Sequence, residues 1–347
     1  MTMVAFVPSM VPATSTSICE PWLGAVPLIR TLLAVARAAS TLGRRSATVR
    51  VPQYTVTAPR AGDADFFLIT VDAMRGDRLT PATAPRLLAL AETGVVFDRA
   101  YSQVPHTSFS LTTLLTGKYA SALAALGDVG GADLAAHETL ADLFKRERYK
   151  TAAFFPPSVF FIDRDRFTAV EQSAFRFEYV KYEFMDAPGR TDQVINFLDA
   201  EKPDRVFAWV HYFDPHEPYE EHDDVDGGAP SGATAPTAID RYDGEVRFVD
   251  REVSRLVAWI AAHRRRAVIV FTADHGEEFG EHGGRYHGSS LYEEQVRVPL
   301  FIASVGAAPV SLPRRHVTAP VGLIDLAPTL LSLADLLPSA KMRGRDL

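Results

Sequence analysis

Residues able to do chemistry gather at a few places in the chain. Asp72 closes the apolar run "FFLITV". "HYFDPHEPY" follows "RVFAWV" and brings His211, Asp214 and His216. "DHGEEFGEHGG" follows "AVIVFTA" and opens with Asp274 and His275. Two carboxylates and an imidazole are a plausible inner shell for one hard or borderline divalent cation, which an alkoxide oxygen would complete. "PHTSFSLTTLLTG", from Pro105 to Gly117, is a candidate source of that oxygen, since it carries Thr107, Ser108, Ser110, Thr112, Thr113 and Thr116. Taken alone, the stretch reads equally well as a polar helix start followed by a buried turn. A single Asp after a strand reads as a helix N-cap. Capping does not explain why the same polar pattern recurs after several apolar runs.

For these groups to meet, the runs before them must be neighbouring strands. "FFLITV", "VFAWV", "VIVFTA" and "VPLFIAS" are short and unbroken, which fits strands buried on both faces. Helical segments lie between them. "TAPRLLALAETG" places Leu87, Leu88 and Leu90 inward and stops at Gly94, ahead of a strand over Val95 to Phe97. "ETLADLFKRERYKTAAFF" repeats the helix-then-strand plan. "YDGEVRFVDREVSRLVAWIAAHRRR" aligns Val246, Val249, Val253, Leu256, Val257 and Ile260 on one face. The alternation predicts an α/β fold: a large, mostly parallel central sheet with helices on both faces, its ligands bound beyond the carboxyl ends of the strands.

The chain has 347 residues, 47% of them hydrophobic and 23% charged, enough for a large core. A formal net charge of −7 argues against a broad basic surface for nucleic acid. Cys19 is the single cysteine, so there is no intrachain disulfide and no cysteine metal cluster. That is compatible with the cytoplasm and with a disulfide-free exported protein alike, and localisation stays open. Residues 1–62 read as an accessory segment with a loose linker, and residues 63–347 as the catalytic domain. Within the first segment, residues 18–38 are interrupted by Glu20, Pro21, Pro27, Arg30 and Arg37. They read as a surface or partner-facing helix, not a signal peptide or a membrane span. A Gly/Pro/Thr loop is expected over residues 226–237.

The chain resembles the sulfatase branch of the alkaline phosphatase superfamily. The resemblance rests on "LITVDAMRGDRL", "GVVFDRAYSQVPHTSFSLTTLLTGKY", "HYFDPHEPY", "YDGEVRFVDREVSRL", "FTADHGEEFGEHGG", "HGSSLYEEQVRVPLFI" and "IDLAPTLLSLADL", in family order over roughly residues 64–347. It implies an alkaline-phosphatase-like three-layer sandwich, one divalent metal (Mn, Zn or Ca) and a covalent intermediate on a nucleophile at a helix start. Counting back from Gly117, it assigns that nucleophile to Thr107. The implied metal ligands are Asp72, Asp274, His275 and the Thr107 oxygen, with Ala73 standing where many members carry a second aspartate. The implied roles of His211 and His216 are contact with the transferred group or protonation of the leaving group. His287 falls where members place a cationic Lys or His facing the substrate oxygens. Ser108, His282 and Arg285 are expected as substrate contacts. His106, beside the nucleophile, reads as a surface residue. Ser108 and Ser110 read as helix caps, and Leu111, Leu114 and Leu115 as the buried face of that helix.

Departures from the pattern narrow the chemistry. Sulfatases carry Cys or Ser in a C/S-x-P-S-R motif that becomes formylglycine; here the five places hold Thr107, Ser108, Phe109, Ser110 and Leu111. Oxidation of a threonine gives a ketone, so no formylglycine is expected. Threonine there resembles the lipoteichoic-acid-synthase-like and phosphoethanolamine-transferase-like relatives, which implies phosphate esters, diesters foremost, of small molecules or of the lipid and cell envelope. The alternatives are a sulfuric ester hydrolase without formylglycine and a catalytically silent binding protein. The chain stops at Leu347, the last residue of "GRDL", so a following subdomain is expected to be short or absent.

Overall fold

The computed structural model describes residues 61–120, 138–160, 174–222 and 237–347. The expectations for residues 1–60, including the segment 18–38, and for loop residues 226–236 lie outside them. Eleven strands are described: β1 (Asp65–Val71), β2 (Val95–Phe97), β3 (Ala100–Tyr101), β4 (Lys150–Phe155), β5 (Tyr179–Tyr182), β6 (Val206–Tyr212), β7 (Ala267–Ala273), β8 (Arg297–Val298), β9 (Leu300–Val305), β10 (Arg315–Val317) and β11 (Val321–Gly322). Eight form one sheet in the order β10-β2-β9-β7-β1-β6-β4-β5, and β11-β3-β8 form a small second sheet. The large sheet is parallel except at β9, which runs antiparallel to both β7 and β2.

The centre of the large sheet places the polar residues. Every residue of β1, β6 and β7 is buried. That explains why these segments carry continuous apolar runs where a one-sided strand would alternate. β1 lies between β6 and β7, with Thr70 level with His211 on one side and Thr272 on the other, and Val71 level with Tyr212 and Ala273. The three strands therefore end together. Asp72 and Asp274 emerge side by side, with His211 one residue inside the edge.

Helices cover this sheet: α1 (Pro85–Ala91), α2 (Thr107–Thr116), α3 (Leu140–Arg146), α4 (Ala187–Glu201), α5 (Ala238–His263), α6 (Glu293–Val296) and α7 (Leu326–Leu333). Helix α5 starts four residues earlier than the apolar pattern suggests. The Thr237–Asp240 capping box fixes that start, and the six expected apolar residues are buried. In α1 only Leu87 and Ala91 are fully buried, so Leu88 and Leu90 are less inward than expected. Helix α2 departs further from its sequence pattern, because all ten of its residues are buried. It has no solvent face, and its hydroxyls need internal partners. Thr113 donates to Phe109 O at 2.8 Å and Thr116 to Thr112 O at 2.6 Å. The helix ends at Gly117, whose φ of 64° supplies the left-handed C-cap.

Candidate active site

Thr107 is the first residue of α2, and His106 is its N-cap with extended backbone. The helix start is fastened to the end of β7. Ser110 Oγ donates to Asp274 O at 2.6 Å and accepts from Ser102 Oγ at 3.0 Å. Ser110 is thus a tether, and Ser108 Oγ pairs with His106 Nδ1 at 3.2 Å. Neither caps the helix as the sequence suggests. His106 is also not the surface residue expected. It is buried, its ring lies edge-on to Phe109, and its charge bears on His287.

The expected metal ligands come together around one atom. His275 Nε2 lies 3.1 Å from Thr107 Oγ1, 3.4 Å from Asp274 Oδ2 and 3.6 Å from Asp72 Oδ1. Asp72, Asp274 and His275 are all fully buried. Asp274 Oδ1 accepts from the N–H groups of His275 at 2.8 Å and Ala73 at 3.2 Å. Ala73 reaches it with a φ of 55°, a left-handed backbone unusual for alanine. The other oxygens, Asp72 Oδ1 and Asp274 Oδ2, are buried and accept no hydrogen bond. Buried carboxylate oxygens without a donor are costly, and a cation satisfies both at once. His275 Nδ1 lies 3.0 Å from Gly276 O, which assigns the ring proton to Nδ1 and leaves the Nε2 lone pair facing the two oxygens. The residues therefore fit a divalent ion.

The charges agree with that reading. Burial alone would raise the Asp72 carboxyl, but the His211 hydrogen bond and the nearby His216 and His275 hold it below the ordinary carboxylate value. Burial, together with the Asp72 charge, pushes Asp274 up. Two adjoining carboxylates in a dry pocket do not both ionise easily until a positive charge joins them.

His211 is held at both nitrogens. Nδ1 lies 2.9 Å from Thr70 Oγ1, which also accepts from Trp209 Nε1 at 2.9 Å, and Nε2 lies 3.3 Å from Asp72 Oδ2. It is fully buried, and its ring orients Asp72 instead of reaching outward. This geometry argues against His211 as a proton donor to a leaving group. His216 and His287 do face the site. Their rings are 5.1 Å apart, and that of His287 is 4.2 Å from His275. Burial, then His275 and His216 beside it, lowers His287 well below the usual imidazole value. For His216 the charges of Asp72 and Glu217 outweigh burial and raise it. His282 and Arg285 are not drawn into this cluster. His282 stacks on Tyr292 and pairs with Glu294 at 3.1 Å, and Arg285 is exposed.

Glu277 is a residue that the motif reading passed over. It is fully buried, with Oε1 3.3 Å from His287 Nδ1, while Tyr219 donates to Oε2 at 3.1 Å. Burial and the neighbouring Glu217 charge push its carboxyl well up. Its place in "DHGEE" was visible, but its distance from His287 depends on the fold of the loop over residues 276–295. Gly276 sets that fold, because a Cβ there would lie 2.1 Å from Glu294 O.

The family profile described as Sulfatase matches residues 65–336. The uncharacterized sulfatase YidJ of Escherichia coli (strain K12) is 37% identical over 101 residues, which cover 29% of this chain and 19% of that protein. The match thus spans about a fifth of that relative's length. The lipoteichoic acid synthase LtaP from Listeria monocytogenes superposes with a TM-score of 0.66 at 16% identity, over 82% of this chain and 75% of LtaP. The soluble domain of lipooligosaccharide phosphoethanolamine transferase A from Neisseria meningitidis gives 0.56 at 16% identity, over 82% and 92%. These two likenesses bear on the fold: an alkaline-phosphatase-like α/β sandwich.

Proposed function

The chain belongs to the sulfatase family of the alkaline phosphatase superfamily, and from that premise we propose that it is a metal-dependent hydrolase or phosphotransferase that cleaves phosphate esters, diesters foremost, through a covalent Thr107 intermediate. One observation carries the reading. The Thr107 hydroxyl stands at the start of α2, 3.1 Å from His275 Nε2, with the unpartnered oxygens of Asp72 and Asp274 next to that nitrogen. Asp72, Asp274, His275 and Thr107 would hold the ion. When bound, it lowers the pKa of a coordinated hydroxyl and offsets charge on a transferred phosphoryl group.

The chain's own residues supply the rest. The Thr107 hydroxyl gives its proton to solvent water, and its oxygen forms a bond to phosphorus as the bond to the leaving oxygen breaks, in line. The N–H groups of the first turn of α2 stabilise the equatorial oxygens. His216, whose imidazole Asp72 and Glu217 raise in spite of burial, gives its proton to the leaving oxygen, which departs as an alcohol, while His287 faces the same space as a neutral imidazole. His211 positions Asp72. Water or a second alcohol then attacks phosphorus and releases Thr107 with its proton restored. Threonine cannot give the aldehyde of formylglycine, which favours phosphate over sulfate. The names of LtaP and of the Neisseria transferase support a phosphodiester of the lipid or cell-envelope type as the substrate class. No helix among the described residues is long and apolar enough to cross a membrane.

The test compares bis(4-nitrophenyl) phosphate with 4-nitrophenyl sulfate as substrates of the manganese-loaded full chain. Faster phosphodiester cleavage is expected. Faster sulfate cleavage would establish the sulfuric ester hydrolase instead, and turnover of neither substrate by metal-loaded protein would favour the silent binding protein.

A further inference from the structure

We propose that Phe213, Phe184 and Met185 form the subsite that receives an uncharged, apolar part of the leaving alcohol, such as the chain of a lipid. The inference rests on the phosphate-ester reading above and deepens it. A file of aromatic rings runs outward from the reacting atoms. The ring of His275, whose Nε2 lies 3.1 Å from Thr107 Oγ1, is 4.2 Å from that of His287, and His287 is 5.1 Å from His216. His216 stacks on Phe213 at 4.6 Å with 22° between the planes, and Phe213 meets Phe184 edge-on at 6.1 Å. The file changes character along its length, with imidazoles beside Thr107 and phenyl rings at the outer end. An amphiphilic ester presents the same order, a charged phosphoryl group followed by an apolar chain.

The outer end is held open by its loop. Phe184 is 62% exposed, and Met185 beside it is 40% exposed. They lie between β5 and α4, at the carboxyl end of a strand parallel to its neighbours, the edge that also carries the site. Buried Arg190 donates to Glu183 O at 2.8 Å, Asp214 accepts from the Ala187 N–H at 2.7 Å, and Asp186 accepts from that of Gly189 at 3.0 Å. The backbone is thus fastened on both sides of the two exposed side chains. Adjoining apolar side chains left in water contribute little to folding, and on a fastened loop they bind a ligand at small ordering cost. The charges beside them select the occupant. Glu183 and Asp186 flank the pair, and Lys181 is paired with Glu183 at 3.6 Å. An anionic group would meet acidic neighbours there, whereas an uncharged chain gains by covering Phe184 and Met185.

The test varies the apolar reach of the leaving group alone. Methyl phosphodiesters of 4-acetylphenol, 4-butanoylphenol and 4-octanoylphenol, whose leaving oxygens are nearly equal in acidity, are compared as substrates of the manganese-loaded full chain, below their micelle concentrations. From acetyl to octanoyl, kcat/KM is expected to rise on the order of tenfold or more, through KM, because burying about two of the added methylenes suffices for that. The rise should collapse to roughly twofold or less in Phe184→Ala, which removes most of the apolar cover. It should persist in Leu337→Ala, which removes an exposed apolar residue beyond α7. A flat series in an active wild type overturns the subsite and spares the phosphate-ester reading. A rise retained in full by Phe184→Ala also overturns it. So does a wild type that sediments as a dimer while Phe184→Ala sediments as a monomer, since a second copy then covers the patch. Hydrolysis of no ester defeats the catalytic reading, and calorimetry then decides the subsite: octanoyl ester bound on the order of tenfold tighter than acetyl ester upholds it, and equal affinities overturn it.

Discussion

Replacing a metal ligand usually harms a protein, yet Asp274→Asn is expected to stabilise this one when metal is absent. Asparagine keeps Oδ1, and with it the hydrogen bonds from His275 at 2.8 Å and Ala73 at 3.2 Å. It removes the negative charge from Oδ2, which has no donor and lies in the same buried pocket as the Asp72 carboxylate. A buried polar group left unsatisfied costs about 1–3 kcal/mol, so the gain is of that order, or roughly 2–12 °C in Tm at about 2–4 °C per kcal/mol. The effect depends on pH. Burial and the Asp72 charge raise the folded-state pKa of Asp274 above its unfolded value. Its contribution is therefore complete below the ordinary carboxylate value and is lost as pH rises through the raised one. The advantage of the variant should be small near pH 4 and grow towards pH 8. The assay is thermal unfolding of chelator-dialysed wild type and variant across that range. A metal-free variant that melts at or below the wild type at pH 8 refutes the claim that the two carboxylates repel one another until a cation joins them.

Adding Mn²⁺ at a hundred times its Kd should stabilise stripped wild type by about 2.7 kcal/mol, a rise of roughly 5–10 °C in Tm that chelator reverses; no shift by calorimetry would deny the site. Thr107→Ala should lower phosphodiester turnover on the order of 10³-fold or more, while Ser108→Ala keeps most of it; comparable losses in steady-state kinetics would mean that the nucleophile is misassigned. Lys118 is buried, and burial followed by the charge of Lys341 lowers its pKa to about 8. Its contribution to stability is full above the unfolded value and lost as pH falls through about 8, so Lys118→Met should gain on the order of 1 kcal/mol at pH 7 and little at pH 10, as read by urea unfolding.

The sheet and its chemistry were legible because burial on both faces writes β1, β6 and β7 as unbroken apolar runs, each with its polar group directly after it. The spacing from Thr107 to Gly117 carried the family resemblance onto a particular hydroxyl. Other features depended on tertiary placement. Helix α2 has no exposed face, so its amphipathic reading failed, and Ser110 became a tether to β7 because Asp274 O lay within reach. The role of His211 turned on Thr70, its neighbour across the β1–β6 register, which no local pattern reveals. Glu277 and Glu217 matter through long-range contacts of loops whose course is fixed by close backbone approaches such as Gly276 against Glu294. His282 and Arg285 shared the motif of His287 but not its inward course.

The most direct measurement is intact-mass analysis of the metal-loaded chain quenched during turnover of bis(4-nitrophenyl) phosphate, followed by peptide mapping. The expected result is an adduct equal in mass to the retained nitrophenyl phosphoryl group, located on Thr107 and missing from Thr107→Ala. A turning-over enzyme that shows no adduct at any quench time, or one located on another residue, would contradict a covalent Thr107 intermediate.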